Sequence, residues 1–226
     1  APSPNAAGYL MRAFPGVEVQ AIPHPEPAAT IAAAARAGDD EEIVLLGAIG
    51  PHKGSGKLFE IAQRARLTHP RLSFRVIGYT DIDKQLLGLG NVVITGKYKA
   101  EQLPGLIAQS RGRLALFLPS WPETYSYTLS EAAKYGFIPL VPDIGAPAER
   151  VRAAGYGVVF GFPANAAEVL EVIGQIGAGT RPAFAPGAVP AALYPTAEDI
   201  KLTLASLGLP AESRKSAASR PLARTR

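Results

Sequence analysis

Residues 114–141 read LALFLPSWPETYSYTLSEAAKYGFIPLV, and the change of texture along this stretch decides the fold. LALFL (114–118) is a continuous apolar run, PSWPE a loop of turn-forming residues, 125–135 a helical candidate, and FIPLV (137–141) a second apolar run. Strands that are apolar on both faces belong in a covered sheet, and a helix between two of them predicts a right-handed parallel crossover.

Outward from this unit the pattern repeats. Apolar, β-branched runs occur at 43–47 (IVLLG), 72–77 (LSFRVI), 91–95 (NVVIT) and 156–160 (YGVVF). Helical candidates lie between or after them at 55–68, 81–87, 100–110, 146–154 and 165–176. The expected fold is α/β, a doubly wound, Rossmann-like parallel sheet. Before it, Val17–Ile22 reads as a short strand and Ala28–Ala37 as a helix ended by Gly38, with an acidic turn at 39–42. After it, 179–195 is expected to be a surface loop. Residues 196–207 are expected to form a helix capped by Thr196 with Asp199 three residues on. The domain reading is 1–38 linker with a short strand and helix, 39–178 Rossmann-like domain, 179–211 loop and helix, and 212–226 a disordered basic tail.

Composition narrows the function classes. The 226 residues carry a formal charge of +4, and residues 212–226 hold five basic residues and one acid, which accounts for all of it. The remainder is neutral, which argues against a nucleic-acid binder with a basic folded face. The absence of Cys excludes disulfides, thiolate metal ligands and a Cys nucleophile. His24, His52 and His69 are too scattered for a His metal motif, and no apolar run reaches the ~18 residues of a membrane span. The chain does not begin with Met and shows no signal peptide, so it is expected to be a piece of a longer protein.

Two loops carry chemistry. AIGPHKGSGK (48–57) follows one apolar run and precedes a helix, where parallel sheets collect ligands. Gly50, Gly54 and Gly56 permit a tight turn, amides near Ser55 can donate to phosphate, and Lys53 or Lys57 can neutralise it. The spacing satisfies neither GxxxxGK[ST] nor GxGxxG, so an ordinary glycine-rich turn is an equal alternative. In 119–136, Glu123 precedes a helix that contains Glu131. Eight helical residues would separate them by roughly 12 Å. A glycosidase carboxylate pair sits roughly 5–9.5 Å apart, so two separate clamps on an elongated polar ligand suit the spacing better than a hydrolase. The bland alternative is a helix-start acid and a solvent-facing one. Gly145 and Glu149 in VPDIGAPAERV add a third loop on the same edge.

From about Val17 to Ala178 the chain resembles the C-terminal domain of the retaining group 1 glycosyltransferases, which have the GT-B fold. The resemblance rests on the E-x7-E spacing of Glu123 and Glu131 followed by EAAKYGFIPLV (131–141). LLGAIGPHKG (45–54), FRVIGY (74–79), ITGKYKAEQLPGL (94–106), FLPSWPET (117–124), IGAPAERV (144–151) and GYGVVF (155–160) follow in the family's order. It implies donor binding by 39–178 within an enzyme that transfers a hexose-like sugar from a nucleotide diphosphate to a glycan or glycoconjugate. It further implies that Lys53 meets the donor diphosphate with Gly54 opening its loop, that Glu131 holds the ribose hydroxyls, and that Glu123 faces the sugar or reacting centre. The backbone of Thr124, Tyr125, Ser126 and Tyr127 would meet sugar and phosphate, with Gly96, Lys97 and Leu103 beside the base.

No metal or cofactor is implied, the nucleotide sugar being substrate. A bacterial polysaccharide pathway and a cytoplasmic location, with membrane association of the parent left open, are family-level expectations. Two departures stand out: Ala48 replaces the family's Arg, and ETYS (123–126) replaces Glu-Gly-Phe-Gly, which is expected to tighten the sugar pocket. The acceptor-binding N-terminal domain is expected to lie outside this chain, leaving it inactive alone. The runner-up is a non-catalytic nucleotide-sugar-binding module; a GT-B epimerase or phosphorylase has no signature here.

Overall fold

The computed structural model of the chain describes residues 1–27, 30, 32, 34–180 and 189–208. Its centre is a parallel sheet of β1 (Asp39–Ile49), β2 (Ser73–Thr80), β3 (Val92–Ile94), β4 (Gly112–Leu116), β5 (Ile138–Pro142) and β6 (Val158–Phe160). The spatial order is β3-β2-β1-β4-β5-β6, with every adjacent pair parallel. The helices are α1 (Pro4–Ala13), α2 (Ser55–Thr68), α3 (Asp83–Leu87), α4 (Leu103–Ala108), α5 (Tyr127–Lys134), α6 (Gly145–Ala154), α7 (Ala166–Gly177) and α8 (Ala197–Ser206).

All six apolar runs became strands, and the period of two assigns their faces. Ile43, Leu45, Phe74 and Val76 join Leu58 and Ile61 of α2 and Val169 and Ile173 of α7 in the larger core cluster. Val44, Leu46, Ile77 and Ala115 pack with Leu103 and Ile107 of α4 and Ala132 of α5 in the smaller one. The crossovers run one way from β1 through β3 and the other way from β4 through β6. The order therefore reverses between β1 and β4, the position where such sheets open a ligand crevice at their carboxyl ends.

Three readings are corrected. Asp39–Glu42 form the start of β1 rather than a turn, because neighbouring strands neutralise them. Arg113 grips Asp40 through two hydrogen bonds of 2.6 and 2.7 Å, and Glu42 accepts from Arg75 at 3.1 Å and from the Arg111 amide at 2.7 Å. Residues 17–22 form no strand. The expected helix at 28–37 is not helical at its described positions; instead the Ala32 and Arg36 amides donate to the carbonyls of Lys134 and Gly136, both at 2.8 Å. That binds the segment, in non-helical form, along the α5–β5 turn. Residues 28, 29, 31 and 33 lie outside the described residues.

The sequence reading missed α1, although its start carries a signal. The Ser3 hydroxyl accepts from the Ala6 amide at 3.2 Å, and Pro4 occupies the first turn. Its small buried face, Ala6 and Ala7, gives little periodicity. At the other end α8 has the predicted capping box of Thr196 and Asp199. The expected loop at 179–195 contains a 3-10 turn at Ala191–Leu193, followed by a buried Tyr194. Its residues 181–188, and the tail at 212–226, lie outside the described residues. A parallel bridge pairs Glu26 with Thr196, tying the segment before β1 to the start of α8.

Candidate functional site

The two chemically suggestive loops meet at the point where the strand order reverses. After β1 the chain makes a 3-10 turn at Pro51–Lys53 and reaches Gly54 with φ 79°. A Cβ there would lie 2.2 Å from the Leu118 carbonyl oxygen, so glycine is required both by the left-handed backbone and by the contact. The Ser120 amide donates to the His52 carbonyl at 3.0 Å and completes the seam. Lys53 then lines a concavity of about 530 Å³ together with Trp121, Glu123, Thr124, Ser126 and Tyr127. Its ammonium has no ion pair among the described residues.

Glu123 is fixed through its backbone. The Ala146 amide donates to the Glu123 carbonyl at 2.9 Å. Gly145, with φ 66°, leaves room that a Cβ would fill at 2.7 Å from the Glu123 nitrogen. Beyond it Ser126 takes φ 75° and ψ 88°, the only positive φ at a non-glycine among the described residues. It stands where the resembled motif has its second glycine, so the chain keeps the glycine backbone and loads it with a side chain. Arg150 holds that shape. Its guanidinium donates to the carbonyls of Tyr125 and Ser126 at 3.0 Å each, to the Ser130 hydroxyl and to the Leu193 carbonyl at 2.8 Å each. The amides of residues 124–127 have no acceptor among the described residues. They stand free beside the concavity at the start of α5.

The Tyr125 side chain is a support for this loop. Its side chain is 3% exposed, donates to the His24 carbonyl at 2.8 Å and lies under the Arg150 guanidinium at 4.2 Å. Burial pushes its hydroxyl up to about 12, against the pull of the Arg150 charge. Only its backbone remains available to a ligand. Burial likewise lowers the Arg150 guanidinium, with Tyr125 and Glu26 opposing.

Glu131 lies one turn into α5, away from this concavity. Its side chain is 36% exposed, yet Oε2 is sealed without a hydrogen bond, the Lys134 Nζ standing 3.8 Å away. Tyr98 is its neighbour: burial and then the Glu131 charge raise the Tyr98 hydroxyl. The loop after β3 is therefore brought to Glu131. In it Gly96 takes φ 82° and Lys97 sits 5.2 Å over the Tyr79 ring. Leu103 is corrected: at 5% exposure its side chain is core, packed with Ile77 and Phe137. Glu149 is also spoken for, since Oε2 accepts from the Asn5 amide at 3.0 Å and caps α1. Ala48 is exposed near the end of β1 and offers no cation.

Sequence reasoning passed over Arg150 and His24. Arg150 carried no local signal, because its partners lie between 20 and 43 residues away. His24 was weighed only as a metal ligand, whereas its ring stacks on Tyr127 at 5.8 Å and lines the concavity.

Against known proteins, the family model for glycosyl transferases group 1 matches residues 29–177. No curated protein sequence matches the chain. Among solved structures, HepE of Anabaena in complex with UDP is 17% identical with a TM-score of 0.50, over 76% of this chain and 45% of that one. The pneumococcal O-GlcNAc transferase GtfA, in complex with UDP and GlcNAc, is 14% identical with a TM-score of 0.56, over 91% and 43%. AviGT4, a glycosyltransferase involved in avilamycin A biosynthesis, is 20% identical with a TM-score of 0.55, over 79% and 53%. At these identities the likeness is one of fold, and the chain spans about half the length of these structures.

Proposed function

Because this chain belongs to the glycosyl transferases group 1 family, we propose that it is the donor-binding half of a retaining glycosyltransferase that uses a nucleotide diphosphate sugar. One observation carries the reading. Lys53, Glu123 and residues 124–127, whose amides have no acceptor among the described residues, line a single concavity at the reversal of strand order. A leaving diphosphate gathers negative charge as the sugar bond breaks. An unpaired ammonium and preoriented amides at a helix start are suited to receive it, and they need no reorganisation. Glu123 lines the same space and would hold the sugar.

Nucleotide recognition falls to the neighbouring patch. Glu131 would accept from ribose hydroxyls, with Gly96 and Lys97 beside the base. UDP in HepE and in GtfA makes a uridine nucleotide the first candidate. The acceptor, a glycan or glycoconjugate, would be supplied from a separate domain, consistent with a chain half the length of the matched structures. Among the described residues no helix is long and apolar enough to cross a membrane.

Titration of the chain with UDP-, GDP- and dTDP-sugars, followed by amide NMR, tests the proposal. Selective shifts around Lys53 and Glu131 are expected, and Glu131→Ala should weaken binding about tenfold, as should a donor lacking the ribose hydroxyls. Silence for every nucleotide would refute it. The exposed Ala48 favours a second reading, a non-catalytic nucleotide-sugar module. Nucleotide binding without turnover in the longer parent protein would select that reading.

A further inference from the structure

The glycine-rich loop faces two ways. Lys53 lines the concavity described above, whereas Gly54 to Lys57 line a different cavity of about 540 Å³ between the starts of α2, α3 and α7. The two share no lining residue, and the seam of Gly54 on Leu118 and Ser120 on His52 forms part of the wall. The volume falls within the range of small-molecule sites.

The start of α2 in this wall is uncapped. Its N-cap, Gly54, has no side chain to offer, and its first turn carries no acid. Leu58 donates the first helical bond, to Gly54, which leaves the Gly56 and Lys57 amides without an acceptor among the described residues. Ser55 gives an independent sign. The residue is 2% exposed and lines the cavity, yet its hydroxyl has no hydrogen-bond partner among the described residues. That oxygen is not sealed off, and the residue it belongs to lines the cavity. A nearly buried hydroxyl without a partner is costly unless something fills that place. The rest of the wall is largely apolar, with Phe59, Ile82, Phe160 and Phe162. The charged groups facing it are Lys57, paired with Glu60 at 2.6 Å, and the exposed Asp81 before α3.

The geometry points to a second ligand site, built for a small phosphomonoester with an apolar body. Two amides and one hydroxyl supply three donors converging at a helix start, matching the terminal oxygens of a phosphate. The phenylalanines take the apolar body, and Asp81 disfavours a second negative charge at the far end.

The test uses the whole chain with 1-naphthyl phosphate, 1-naphthol and inorganic phosphate, followed by amide NMR. Naphthyl phosphate should shift Gly56, Lys57 and Ile82, with naphthol and phosphate each at least tenfold weaker. Gly56→Asp should cost at least tenfold in affinity. A Cβ at Gly56 meets nothing within 4 Å, and an acid in the first turn suits the helix, so the fold should hold. Phe162→Ala, at a residue 42% exposed, should weaken the probe about fivefold without relying on that tolerance. Lys53→Ala should leave the affinity within twofold. Absence of shifts at Gly56, equal binding of naphthol, shifts confined to Lys53 and Glu131, or indifference to both Gly56→Asp and Phe162→Ala would overturn the proposal.

Discussion

Replacing Arg150 with Ala should loosen the fold and the candidate donor loop together. The substitution removes four hydrogen bonds of 2.8–3.0 Å and the guanidinium above the Tyr125 ring. Hydrogen bonds to a charged group are worth about 1.5–3 kcal/mol each, and they do not add fully. The Tyr125 and Ser126 carbonyls border an open concavity and can be rehydrated, so roughly two of the four bonds set the net loss, about 3–5 kcal/mol. At about 2–4 °C per kcal/mol for a chain of this size, Tm should fall by roughly 6–20 °C. Arg150→Lys keeps the charge but not the fork, so it should recover less than half. Thermal melts by circular dichroism measure the global change. Fluorescence of Trp121, the single tryptophan and a lining residue of the concavity, reports the loop. A melt within 2 °C of the parent chain and an unchanged Trp121 signal would refute the reasoning.

Gly145→Ala should cost about 2–4 kcal/mol in urea unfolding and at least tenfold in nucleotide-sugar affinity, because its Cβ would press on the Glu123 backbone and φ 66° disfavours it. Ser126→Gly should stabilise the chain by about 1 kcal/mol: relief of strain worth roughly 1–3 kcal/mol is offset by the roughly 0.4–1 kcal/mol of entropy that glycine adds to the unfolded chain. Tyr125 and Tyr156, both raised to about 12 chiefly by burial, favour folding below pH 10, and that contribution is lost as pH rises from 10 to 12. An absorbance titration of the eight tyrosines should show these two ionising late, together with unfolding; titration of all eight near pH 10 in the folded chain would count against it.

The sheet was legible because its evidence is local. Each strand needs only an apolar run, and each crossover only a helical stretch between two runs. The run from LALFL to FIPLV already contained strand, loop, helix and strand in the order the fold uses. Reading failed where a segment's shape depends on distant partners. DDEE looks like a turn until Arg75 and Arg113, from strands on either side, draw it into β1. Residues 28–37 look helical until the Lys134 and Gly136 carbonyls, some 100 residues on, claim two of their amides.

The site divides along the same line. Lys53 and Glu123 were placed correctly at one rim because strand ends in a doubly wound sheet converge there by topology. How the backbone runs through ETYS in place of the glycine motif was not readable. Rather than refold the loop, Ser126 keeps a glycine-like backbone while Arg150 pins the carbonyls on both sides of its amide. Roughly 1–3 kcal/mol of strain stands against the two Arg150 hydrogen bonds to these carbonyls, about 1.5–3 kcal/mol each before rehydration is counted, so the arginine is strong enough to hold the conformation. The two residues should therefore be coupled. Without Arg150 the loop is free to relax at Ser126, so the stabilisation by Ser126→Gly should vanish in the Arg150→Ala background. If the two changes instead add within about 0.5 kcal/mol, the arginine does not hold the strain and the loop owes its shape to something else.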